Sequence, residues 1–163
     1  MKNNNWGKTI LYIYKYLERI TEGIDKLVER EALNSYYYNS TRDNDVSIVA
    51  GKIIELTERK KRLINIKVLT EKSLKSIDSL LAKVLIGKYI DEDICEEIAL
   101  RLNLPMRTFF RRLSQAEDMF SNALSRFGFN DEKLNKYLQG ENWIIDVYEN
   151  FLEGDRQNER QSA

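Results

Sequence analysis

Three arginines fall within one short stretch, at Arg107, Arg111 and Arg112, with Met106, Thr108 and Phe110 among them and Ser114 and Gln115 just after. A guanidinium is a planar fork of donors that matches the N7 and O6 edge of guanine or two oxygens of a phosphate. Hydroxyl and amide side chains bond to base edges or phosphates, and an apolar side chain in the major groove meets the methyl group of thymine. If this stretch is helical, residues 107, 110, 111 and 114 share one side. Phe109, Leu113, Ala116, Phe120, Ala123 and Phe127 recur at steps of 4, 3, 4, 3 and 4 and fill another. That is the pattern of a helix with one face in a core. Its first two turns would then present Arg107, Phe110, Arg111 and Ser114 outward, with Arg112 and Gln115 at the flanks and Met106 beside the face. With Thr108, these are the candidate DNA contacts, in the layout by which a helix reads a major groove.

Other chemistry is poorly provided for. The chain has no histidine and one cysteine, Cys95. These absences exclude a Cys/His zinc site, a His-dependent triad and an internal disulfide. Asp91, Glu92, Asp93, Glu96 and Glu97 cluster where a helix begins, and there carboxylates satisfy free N–H groups and the helix dipole. No nucleophile–base pair and no phosphate loop accompanies them, so neither an enzyme nor a cofactor is expected. Acidic neighbours also disfavour a reactive Cys95 thiolate, and Cys95 reads as a small packing residue.

Net charge is zero but unevenly spread. Residues 51–90 hold ten Lys/Arg against four Asp/Glu, a net of +6, while residues 131–163 hold four against eight, a net of −4. A basic middle and an acidic end fit a protein with one nucleic-acid-facing surface; solvated helix faces would give the same totals. Lys83, Lys88 and Arg101 are candidates for phosphate contacts. The basic residues Arg59 to Arg62 either extend such a footprint or are simply solvated.

The elements that must position the arginines are helical. One proline and seven glycines in 163 residues leave few breaks. Before the arginine helix, Ile94, Ile98 and Leu102 make the apolar face of a short helix, and Ala99 suits a close helix crossing. Asn103 suits the left-handed position that ends it, Leu104 plugs the turn, and Pro105 suits the first turn of the next helix. Upstream, a helix is expected over about 73–89, with Leu74, Ile77, Leu80, Leu81, Val84 and Leu85 inward. Asp91 to Asp93 break it and can cap the next. Gly128 and Asn130 end the arginine helix. Two short helices divided at Gly140 follow, carrying Leu134, Tyr137, Leu138, Trp143, Ile144, Val147, Tyr148 and Phe151; their aromatics read as core or interface. A polar tail closes the chain.

Nearer the N-terminus, Ile10, Ile13, Leu17, Ile20, Ile24 and Leu27 repeat at 3, 4, 3, 4 and 3, a narrow stripe that needs a partner helix. An Asn/Ser/Asp-rich loop over 34–45, holding Tyr36, Tyr37 and Tyr38, leads to a second helix with Val49, Ile53, Leu56, Leu63 and Ile66 on one side. Its pattern weakens near 70–73, where a bend is expected. The preferred arrangement is an antiparallel hairpin, and the alternative is a homodimer through the stripe. No apolar run is long enough to span a bilayer and no secretory signal is evident, so the cytoplasm is the expected compartment.

The ordered string across residues 80–124 resembles region four of bacterial sigma factors and the related phage transcription regulators of the ArpU type. The resemblance rests on an apolar helix ending in Tyr89, an acidic linker, Ile98 and Ala99, a turn, then Arg107, Thr108 and Phe109, with Ala116 beyond. The chain as a whole also resembles sigma-factor-like Firmicute proteins with a Tyr-Tyr-Tyr-Asn segment. This resemblance implies a helix-turn-helix, with DNA contacts at Arg107, Phe110, Arg111 and Arg112. Phe110 stands where relatives carry a polar or basic residue. No counterpart of the promoter-melting region is present, so a complete sigma factor is not expected. The expected organisation is all-α: a helical hairpin over 1–70, a helix-turn-helix domain over 71–128, and a helical extension with a polar tail over 129–163. The expected function is sequence-specific double-stranded DNA binding in transcription regulation, with RNA polymerase as a possible partner. The alternative is a helical adaptor that binds protein without touching DNA.

Overall fold

The computed structural model of the protein describes residues 4–38 and 43–162. The chain is all-α, with no strand among the described residues. Its helices are α1 (Asn5–Tyr38), α2 (Asp43–Lys75), α3 (Ser79–Leu85), α4 (Cys95–Arg101), α5 (Met106–Arg126), α6 (Asp131–Leu138) and α7 (Asn142–Ser162), and a π-helical turn, Ile86–Ile90, extends α3. No described helix is long and apolar enough to cross a membrane. The chain forms two compact units, one of Met1–Lys15 with Leu69–Ala163, the other of Tyr16–Val68. The first fifteen residues and the C-terminal helices thus belong to the same unit as the arginine helix.

That unit is organised around α5. Phe109, Phe120, Ala116 and Ala123 are completely buried, and Leu113 and Leu124 nearly so. Against α5 packs α3, with Leu81, Val84 and Leu85 buried. The N-terminal end of α1 and the middle of α7 add an aromatic layer. Trp6 stacks on Tyr148 with ring centroids 4.5 Å apart, and Tyr12 meets Phe151 edge-on at 6.1 Å. Such pairs combine a large buried area with a preferred ring geometry. The C-terminal aromatics are therefore packing residues of this unit.

Local chemistry sets the helix ends. Asp78 begins α3 by accepting from the Leu80 and Leu81 amides, and Asn130 begins α6 by accepting from that of Lys133. The ends of α4 and α5 share one device. Leu104 N–H donates to the Ala99 carbonyl and Asn103 N–H to that of Leu100; Phe129 and Gly128 do the same toward Leu124 and Ser125. This is the Schellman arrangement, which needs a left-handed residue just past the helix. Asn103 supplies φ 53° and Gly128 φ 88°.

Several expectations are corrected. Helix α1 continues through residues 34–38 rather than giving way to a loop, while the side chains of Tyr36, Tyr37 and Tyr38 lie outside the described residues. No bend occurs at 70–73: Thr70 and Ser73 are fully buried, and α2 runs on to Lys75 because these small hydroxyl residues sit on its inner side. The next helix accordingly begins at Ser79, not Ser73. Asp91, Glu92 and Asp93 do not cap α4, whose N-cap is Ile94, 61% exposed rather than part of the inner face. The polar C-terminal residues stay helical as far as Ser162.

In the unit of Tyr16–Val68, Leu17, Ile24, Leu63 and Ile66 are buried, and Lys60 pairs with Asp25 at 2.5 Å, joining α2 to α1. Of the six stripe residues offered as a dimer face, Ile10, Ile13, Leu17 and Ile24 are already buried within one chain, whereas Leu27 is 40% exposed. A dimer through the full stripe would first have to uncover those four.

One close approach governs the middle of the larger unit. A Cβ on Gly87 would come within 3.1 to 3.3 Å of three carbon atoms of Ile98. Any side chain here would press on Ile98, which would have to give way by a few tenths of an ångström. Gly87→Val is therefore expected to destabilise the chain by about 1–3 kcal/mol through overpacking. Urea unfolding measures this, and unchanged stability would show that the two segments do not meet as described.

Candidate nucleic-acid interface

The candidate surface is built by α4, the turn from Leu102 to Pro105, and α5. Pro105 (φ −59°) precedes the first helical residue of α5, where its ring costs no hydrogen bond. Within α5, burying the stripe from Phe109 onward fixes which side faces out. Arg107, Phe110, Arg111 and Ser114 are exposed together, at the i, i+3, i+4 and i+7 spacing of one helix face. Neither Arg107 nor Arg111 forms an ion pair among the described residues.

The remaining predicted residues divide. Met106 and Thr108 are half-buried, so they flank the face rather than lead it. Arg112 is half-buried too, and its Nη1 donates to Gln115 Oε1 at 3.1 Å, so these two side chains engage each other. Of the phosphate candidates, Lys83 is exposed and Lys88 half-buried. Arg101 is exposed but bonded to Asp93 at 2.5 Å. Cys95 is half-buried at the first position of α4.

Sequence reasoning missed the interactions that hold α5 in place. The Tyr89 hydroxyl, in the π-turn, donates to Glu117 Oε1 at 2.5 Å. Asn4 Nδ2 donates to Asp118 Oδ1 at 2.5 Å. Both acidic residues lie one turn past Ser114, and their partners are 28 and 114 residues away. No local periodicity signals such pairs. Lys15 reaches Glu92 at 2.6 Å, at a residue with φ 56°, and Lys8 reaches Asp155 at 3.4 Å. A cleft of about 620 Å³ beside α5 is lined in part by Glu117, Asp118 and Asp155, each already engaged by one of these partners.

Burial pushes the Glu117 carboxyl above the ordinary glutamate range, against the opposing pull of the Tyr89 hydrogen bond and of Lys8. Burial, and then the charge of Glu117, likewise drive the Tyr89 hydroxyl upward, so Tyr89 stays a donor throughout the physiological range. No family model, curated protein or solved structure matches the chain.

The Tyr89–Glu117 pair has a measurable signature. A carboxyl whose pKa is raised on folding favours the folded state fully below its unfolded pKa, and loses that contribution as pH rises through the folded value. Glu117→Gln keeps an acceptor for Tyr89 without the ionisation. Its stability relative to the wild type should therefore improve from the acid range toward neutrality. Tyr89→Phe should cost about 1–3 kcal/mol by removing the hydrogen bond to a half-buried carboxyl. Chemical unfolding across this pH range tests both, and a gap between wild type and Glu117→Gln that ignores pH would refute the burial of this charge.

Proposed function

We propose that the protein is a sequence-specific DNA-binding transcription regulator in which α4, its turn and α5 act as a helix-turn-helix of the sigma region-four kind. The observation that carries this reading is the exposed face of Arg107, Phe110, Arg111 and Ser114 on the first two turns of a helix otherwise locked into a core. Those turns enter the major groove, Arg107 and Arg111 bond to guanine edges or phosphates, and Ser114 adds a polar contact. Arg112 and Gln115 stand at the margin. Lys83 and Lys88 contact backbone phosphates, and Arg101 does so only by sharing its charge with Asp93. The unit of Met1–Lys15 and Leu69–Ala163 contains the whole surface. On this reading the protein acts on transcription in the cytoplasm by occupying DNA or by docking on RNA polymerase, without melting the promoter itself.

One observation favours a second reading, in which the same helices form an adaptor that binds protein without DNA. Leu100 on α4 is 79% exposed and Ile94 at its N-cap 61% exposed, and net charge is zero. Exposed aliphatic side chains beside a charged helix suit a protein partner.

Selection from a random duplex pool at two salt concentrations separates the readings. The wild type is expected to enrich one motif, with affinity falling steeply as salt rises. Arg107→Ala/Arg111→Ala should lose the motif and bind at least about tenfold more weakly, as two lost bidentate or phosphate contacts require. Equal and negligible binding by both proteins would reject unaided DNA recognition and leave the adaptor reading.

A further inference from the structure

We infer that Phe110 reads the C5-methyl group of a thymine, so that the DNA site contains a thymine the protein distinguishes from uracil. The inference rests on the DNA-binding reading above and names one base within it.

Phe110 is 52% exposed, although its neighbour Phe109 is completely buried. Single exposed apolar residues are common on proteins, but this one has a particular setting. It sits between the two exposed arginines, three residues after Arg107 and one before Arg111, on the face proposed to meet the bases. Its ring stands edge-to-face on that of Phe109, with centroids 5.5 Å apart and planes at 72°. The buried ring thus supports the exposed one and restricts its rotamers, which lowers the entropy lost when it is fixed against a ligand.

Chemistry then narrows the ligand. Phenylalanine neither donates nor accepts, so it cannot read the hydrogen-bonding groups of a base edge. The major-groove edges of the four bases offer donors, acceptors and one apolar group, the thymine methyl. Flanking arginines that hold guanines or phosphates bring the ring down to that depth. Stacking between bases is a different mode, in which apolar wedges enter from the minor groove, whereas α5 is a helix of major-groove dimensions. Met106 is also apolar but half-buried, and the methyl contact belongs to Phe110.

The test uses the full chain and the duplex motif selected as above, with each thymine replaced in turn by deoxyuridine, which removes only the methyl. At one position the replacement is expected to weaken binding about fourfold, the value of one buried methyl. Phe110→Ala should bring the thymine-to-uracil ratio at that position close to one. Phe110→Leu should retain part of it, and Met106→Ala should leave it intact. If a motif is enriched but no thymine shows the penalty, or if the penalty persists in Phe110→Ala, the thymine assignment is overturned while DNA binding stands. If no motif is enriched at all, the DNA-binding reading fails and this assignment with it.

Discussion

The architecture of the larger unit turns on the π-helical segment from Ile86 to Ile90. An α-helix continued from α3 at 3.6 residues per turn would not bring Gly87, Tyr89 and the following acidic linker to the partners they have. The Asp91 N–H donates to the Ile86 carbonyl, five residues back, at 2.9 Å. This one wider turn rephases the chain. Gly87 then lies against Ile98 of α4, the Tyr89 hydroxyl meets Glu117 of α5, and the Tyr89 ring lies edge-on to Phe151 of α7 at 6.3 Å. Three helices are thus held from five consecutive residues. Because Glu117 is half-buried and the Tyr89 ring buried, their hydrogen bond is partly shielded from water, where it is stronger than in solvent. The interaction constrains the position of α5 along its axis, and with it the height at which Arg107 and Arg111 emerge.

The same arrangement bears on the proposed reading, in which a chain of zero net charge would have to meet a polyanion. Several of its acids are committed to internal cations: Glu92 to Lys15, Asp93 to Arg101, Asp155 to Lys8. A paired carboxylate projects little field beyond its partner, and at physiological ionic strength the residue of that field decays over about 8 Å. Arg107 and Arg111 keep their charge unpaired among the described residues. What matters at such a surface is the local balance on the first turns of α5, which the total conceals.

Where a residue's conformation is decided by its near neighbours, the sequence was readable. The expected stripe is buried from Phe109 to Ala123, though its last member, Phe127, is only half-buried; Asn103 takes the left-handed position that its place after Arg101 and Leu102 demands; and Gly128 ends its helix, while Asn130, expected to do the same, caps the next one. The exposure of Arg107, Phe110, Arg111 and Ser114 follows from that stripe, because burying one side of a helix exposes the other. Where distant contacts decide, the reading failed. Thr70 and Ser73 look like interruptions in a helical pattern, yet tertiary burial lets α2 pass through them. The acids before α4 look like caps, but Glu92 and Asp93 are drawn toward Lys15 and Arg101 instead. Spacing places Arg112 at the flank of the arginine face beside Arg111, and only the structure shows it engaged with Gln115.

On the proposed DNA-binding reading, the different settings of Arg111 and Arg112 bear on what the surface would recognise. Three equivalent arginines would make a strongly attractive but weakly discriminating face, since each could settle on any phosphate. Two outward arginines with an aromatic ring between them are more selective, because the ring gains nothing from phosphate and only a base edge of matching shape rewards its approach. The buried neighbour Phe109 supplies both the core anchor of α5 and the support for that ring. A residue of the core and the residue proposed to discriminate a ligand are therefore adjacent in the chain and joined by one aromatic contact. A substitution at Phe109 would disturb the position of Phe110 as well as the core, whereas a substitution at Phe110 removes only the outer ring contact of Phe109.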